Sequence, residues 1–68
     1  MAKEYAIMML MVFRKMDGII KKEKQAEWLN TPNEALDNKT PLEIILKKPT
    51  MLQEVFLILY RIEWGISE

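Results

Sequence analysis

Apolar residues recur at helical spacing in the last stretch of the chain, and nowhere do they alternate as a strand requires. Across residues 51–64, Leu52, Val55, Phe56, Leu59 and Ile62 follow i, i+3, i+4, i+7 and i+10. That period predicts a helix with one continuous buried stripe. A second apolar line, Leu57, Tyr60 and Trp64, runs along its flank, with Glu54 and Arg61 on the side away from the core. Gly65 is the expected C-cap. Residues 2–16 are also helical in make-up, rich in Met, Leu, Lys and Glu and free of Gly and Pro. Their pattern is not a stripe. Tyr5, Met9, Val12, Phe13 and Met16 form one face, and Ile7, Met8, Leu10 and Met11 cover the others. A helix apolar nearly all round is buried on several sides.

Between these helices the chain is punctuated. Asp17-Gly18 reads as a glycine stop. Residues 21–29 form a second helix closed by Asn30, with Ala26 and Leu29 on one side and Trp28 beside them as a core anchor. Thr31-Pro32-Asn33-Glu34 and Thr40-Pro41-Leu42-Glu43 both spell T-P-x-E, and Thr50-Met51-Leu52-Gln53 spells T-x-x-Q. Each reads as a helix start. The threonine hydroxyl takes a first-turn N–H and the acidic or amide side chain reaches back. In the T-P-x-E copies, proline occupies the first helical position, where no intrahelical bond is lost. The predicted segment 31–36 is a turn or two, ended by Asp37-Asn38, which tolerate left-handed geometry. The segment 41–46 is a short helix with Leu42, Ile45 and Leu46 inward, and Lys47 and Lys48 suit its C-terminal dipole. The expected fold is all-α, a single domain over residues 1–68 built as a bundle of about four to five short helices.

Size sharpens the picture. A core of 68 residues rarely stabilises a fold by more than about 3–5 kcal/mol unaided, and small domains add disulfides, metal or a partner. Cysteine and histidine are absent, which removes disulfides and thiolate or imidazole metal sites. A partner chain remains, and a 50% hydrophobic composition points the same way. Ten basic and ten acidic residues cancel, against the dense positive field that nucleic-acid binding needs. Lys21-Lys22-Glu23-Lys24 is read as a solvated loop and helix start. The apolar run 5–13 follows Lys3, but Arg14-Lys15 stand where a signal peptide has its small-residue cleavage site. The run is also well short of the roughly 20 residues of a membrane span. A soluble, cytoplasmic chain without cofactor is expected.

Catalytic machinery is sparse. Without His or Cys, and with Ser67 the only serine, a nucleophile paired with an imidazole base is impossible. Glu34 and Asp37 are close in sequence, but Glu34 is assigned to capping. No glycine-rich phosphate loop occurs. Recognition, not catalysis, is the expected activity.

The same residues resemble the toxin-binding domain of the Xre/MbcA/ParS-type antitoxins. The likeness is carried by Ala26-Glu27-Trp28-Leu29, Thr31-Pro32-Asn33 with Leu36, Thr40-Pro41-Leu42 with Leu46, and Val55, Leu59, Arg61-Ile62-Glu63 and Gly65, over about the C-terminal two-thirds of the chain. The family often has glycine near Asp37-Asn38, where Asn38 is able to take the same left-handed geometry. Such antitoxins usually carry an N-terminal helix-turn-helix domain, for which this chain has no room, so no DNA binding by this chain alone is expected. The resemblance implies a bacterial type II antitoxin whose partner is a RES-type toxin, a family associated with NAD degradation. It implies that the C-terminal part covers the toxin's active-site entrance, which nominates Arg61, Trp64 and the tail from Gly65 onward. A forked guanidinium at Arg61 suits an anionic or phosphate-binding pocket. Read from the residues alone, Arg61 is a polar-face residue beside Glu54.

Alternatives stay open at this level. The first helix is core plus dimer interface, or a docking helix for a different protein. The Leu57–Tyr60–Trp64 line packs against the first helix, or joins Arg61 and Gly65 as a partner-binding surface of the aromatic and arginine types that dominate interface hot spots. A homo-oligomeric helical scaffold without a toxin is the second reading. Peripheral membrane attachment through residues 5–13 is a third, weakened by the missing opposing polar face.

Overall fold

A computed structural model describes residues 2–65. Its described residues form four α-helices, α1 (Ala2–Ile19), α2 (Lys22–Leu29), α3 (Pro41–Lys47) and α4 (Leu52–Glu63). Single 3₁₀ turns at Glu34–Leu36 and Pro49–Met51 precede α3 and α4. The fold is an all-α bundle, and the main helix pair is α1 against α4. α1 contributes Val12 and Met16 to the core, α4 contributes Leu52, Val55, Ile58 and Leu59, and α3 contributes Ile44 and Ile45. Leu36 of the first 3₁₀ turn is fully enclosed. Trp28 and Leu29 of α2, with Ile19 and Ile20, close the margin as half-buried side chains. Trp28 thus anchors α2 from the edge of the core, whereas Ala26 is exposed.

The expected glycine stop does not form. α1 runs through Gly18 to Ile19, and the Ile20 N–H still reaches the Met16 carbonyl at 2.8 Å. A mid-helix glycine costs only about 1 kcal/mol, and prolonging the helix packs Ile19 and Ile20 against the core edge. The end of α1 is tied by Gln25, whose amide donates to the Ile20 carbonyl at 3.0 Å and to Asp17 Oδ1 at 3.1 Å.

Of the three threonine starts, one holds. Thr40 Oγ1 accepts from the Glu43 N–H at 3.0 Å, and Pro41 opens α3. Thr31 instead donates its hydroxyl to the Glu27 carbonyl at 2.6 Å, satisfying an orphan acceptor at the end of α2. The start it was expected to make belongs to Asn33, whose side chain accepts from the Ala35 N–H at 2.8 Å. Glu34 is therefore a 3₁₀ residue and not a partner in a Thr31 capping box. Thr50 lies inside the second 3₁₀ turn, and α4 has Met51 at its N-cap without a side-chain bond. A side chain that follows a helix closely is offered free carbonyls before free N–H groups, and local bonding takes whichever is nearer.

Two stripes are rotated relative to expectation. In α3 the inward residues are Pro41, Ile44 and Ile45, with Leu42 half-buried and Leu46 69% exposed. Pro41, Ile44 and Ile45 satisfy the same i, i+3, i+4 period one residue earlier, so the period alone does not choose between them. In α4, Ile58 is buried, Phe56 is half-buried and Ile62 is 45% exposed. The left-handed pair is as expected: Asp37 and Asn38 have φ of 58° and 63°, and the Asn38 N–H returns to the Asn33 carbonyl at 2.9 Å.

Replacing Thr40 by alanine removes the only threonine cap among the described helices and is expected to cost about 1 kcal/mol. Thr50→Ala is expected to change stability by less than about 0.5 kcal/mol. Urea unfolding followed by circular dichroism separates the two.

Candidate functional site

The outward side of α4 is built by rotation. Leu52, Val55, Ile58 and Leu59 face the core, so positions 57, 60 and 64 project the other way at 3.6 residues per turn. Leu57, Tyr60 and Trp64 are 40%, 43% and 65% exposed. The Tyr60 and Trp64 rings pair at 6.2 Å between centroids with their planes tilted 52°, within the range of favourable edge-on aromatic contacts. Arg61 is exposed on the same helix. The Leu57–Tyr60–Trp64 line is therefore not enclosed by the bundle.

Gly65 follows the helix with φ of +70°, its N–H donating to the Ile62 carbonyl at 3.2 Å. Only glycine takes that conformation cheaply, and nothing lies within 4 Å of where a Cβ would stand. Gly65 thus ends α4 by its backbone and presents no side-chain surface. Residues 66–68, which complete the nominated tail, lie outside the described residues.

One polar contact between α1 and α4 escaped local pattern. Lys15 Nζ of α1 meets Glu63 Oε1 at 2.8 Å and sits 5.6 Å from the centre of the Phe56 ring. The pair is separated by 48 positions in sequence, so no i, i+3 or i, i+4 rule exposes it. Beside it an open groove of about 370 Å³ runs between α1 and α4, bordered by Met11, Gly18 and Phe56. A second groove of about 340 Å³ lies between Trp28 and Ile62, which accounts for the half-open Ile62. Among the described residues no group of three or more metal-ligating side chains comes together, and no helix is long and apolar enough to cross a membrane.

The residues that carry the family likeness have structural tasks here. Leu36, Val55 and Leu59 are enclosed, Pro41 and Thr40 open α3, Asn33 caps the 3₁₀ turn, and Gly65 turns the chain out of α4. An exposed apolar, aromatic-bearing helix face on a small bundle is the kind of surface that protein partners cover. The profile of the antitoxin Xre/MbcA/ParS C-terminal toxin-binding domain matches residues 11–65, more than half of the chain, and the chain belongs to that family. Comparison with curated proteins and with solved structures gives no significant match. Membership in a toxin-binding family implies a toxin as the partner and a regulatory role.

Leu57→Lys, Tyr60→Lys and Trp64→Lys, made singly, are each expected to change the unfolding free energy by less than about 1 kcal/mol, because they remove little buried area. Leu59→Ala, on the opposite side of the same helix, is expected to cost about 2–5 kcal/mol and so to unfold much of the protein. Thermal and urea melts provide the comparison.

Proposed function

We propose that this chain neutralises, in the bacterial cytoplasm, a RES-type toxin that degrades NAD, by laying the outer side of α4 across the entrance to the toxin's active site. Leu57, Tyr60 and Trp64 form the apolar contact. Arg61 supplies a fixed positive charge for an anionic or phosphate-binding pocket. Gly65 directs the chain away from the helix at the point of contact. The observation that carries the reading is the exposed Leu57–Tyr60–Trp64 line on a helix whose other side buries Leu52, Val55, Ile58 and Leu59 in the core. Aromatic and arginine side chains of this kind contribute most to protein-protein affinity when a partner desolvates them. The chain acts in this reading by steric cover and brings no catalytic group of its own. The homo-oligomer expected from the sequence has a separate candidate surface, the outer face of α1.

The test is co-expression with the product of the adjacent gene. Induction of the neighbour alone is expected to arrest growth and deplete cellular NAD, and this chain is expected to prevent both. Arg61→Ala combined with Trp64→Ala is expected to release toxicity while the helical circular dichroism signal stays at the wild-type level. A neighbour harmless on its own removes the proposal; full protection by the double variant clears those two residues of the role.

A further inference from the structure

The surplus of apolar surface on α1 lies away from the helix that α1 packs against. At the helical repeat of 3.6 residues, Lys3, Ile7, Leu10, Phe13 and Asp17 fall in one sector centred on Leu10 and turned from Val12 and Met16. Ile7 is 56% exposed, Leu10 55% and Phe13 39%. The family match begins at residue 11, while α1 is an unbroken helix from Ala2 to Ile19. Lys3, Ile7 and Leu10 therefore precede the matched segment.

The ends of that sector carry opposite charges. Lys3 lies near the N-terminal end and Asp17 near the C-terminal end, about four turns away on the same side, and both are exposed. We infer that a second copy of this chain covers the face, its α1 running antiparallel across a two-fold axis at Leu10. In that register Leu10 meets its counterpart, Ile7 lies level with the other copy's Phe13 on the opposite flank of the seam, and Lys3 meets the other copy's Asp17 at both ends. Arg14 falls level with the other copy's Ala6, whose short side chain leaves room for the arginine stem. A parallel pair would set Lys3 on Lys3 and Arg14 on Arg14. The antiparallel pair also opposes the two helix dipoles, and a zero net charge adds no long-range repulsion between copies. The contact is isologous, the commonest kind in soluble oligomers. One helix pair about 27 Å long buries less than the roughly 800 Å² per partner of stable complexes, so the dimer is weak and forms at micromolar or higher concentration. It involves no residue of α4 and does not depend on the toxin reading.

Sedimentation equilibrium of the full chain, from micromolar to millimolar concentration, tests it. The wild type is expected to pass from 8.1 kDa toward twice that mass. Leu10→Glu and, independently, Ile7→Lys are expected to hold it at the monomer mass with unchanged helical content, because both sites are exposed. Lys3→Asp places like charges at both ends and is expected to weaken association about five- to tenfold; Lys3→Asp with Asp17→Lys is expected to restore it. A wild type monomeric throughout overturns the proposal, as does association that survives both Leu10→Glu and Ile7→Lys. A double charge exchange no better than Lys3→Asp alone overturns the antiparallel pairing.

Discussion

α1 lies along α4, and every other element is placed by that contact. The chain has no cysteine or histidine, so neither disulfide nor imidazole-held metal shortens the search for the fold. Ordering it costs roughly 100 kcal/mol at about 1.5 kcal/mol per residue. α2 and α3 have 8 and 7 residues, too short to persist alone in water. They are helical because the ridge formed by Val12, Met16, Val55 and Leu59 offers them a surface to bury Trp28, Leu29, Ile44 and Ile45 against. The Lys15–Glu63 pair at the rim is partly exposed, and pairs of that kind contribute at most about 1 kcal/mol. It adds little to the apolar contact that holds the two helices together.

The middle of the chain turns sharply in very few residues, and its polar groups make that feasible. Thr31 satisfies the last turn of α2, Asn33 starts the 3₁₀ turn, Asp37 and Asn38 reverse the chain, and Thr40 with Pro41 launches α3. This sequence of small bonds brings Leu36 to full burial between elements that would otherwise leave backbone groups unsatisfied. Residues of the family likeness in this segment, with Val55 and Leu59 of α4, are ones that build the domain.

A domain this small encloses only part of its apolar surface. Most of what it leaves open lies on two helices: Leu57, Tyr60 and Ile62 on α4 with Trp64 at its end, and Ile7, Leu10, Met11 and Phe13 on α1, while Leu46 of α3 stands apart. Two separate surfaces allow a toxin contact and a self-contact to coexist without competing for the same side chains.

The sequence by itself determined the helical class, the extent of α2, the Thr40–Pro41 start, the left-handed reversal at Asp37–Asn38, the glycine exit at Gly65 and the family. These are local properties, decided within a few residues by period, capping and backbone freedom. The structure decided what local rules leave degenerate. α3 had two equally good apolar registers, and the neighbours chose Pro41, Ile44 and Ile45 over Leu42 and Leu46. α4 is apolar on so many positions that only α1 and α3, by lying where they do, selected Ile58 for the core and left Ile62 at its edge. Gly18 stayed helical because packing of Ile19 and Ile20 outweighed its small intrinsic cost. The Leu57–Tyr60–Trp64 line was visible as a pattern, but its exposure was not, since burial depends on which other chain segments arrive, and the main neighbour of α4 is α1, whose Lys15 is 48 positions from Glu63.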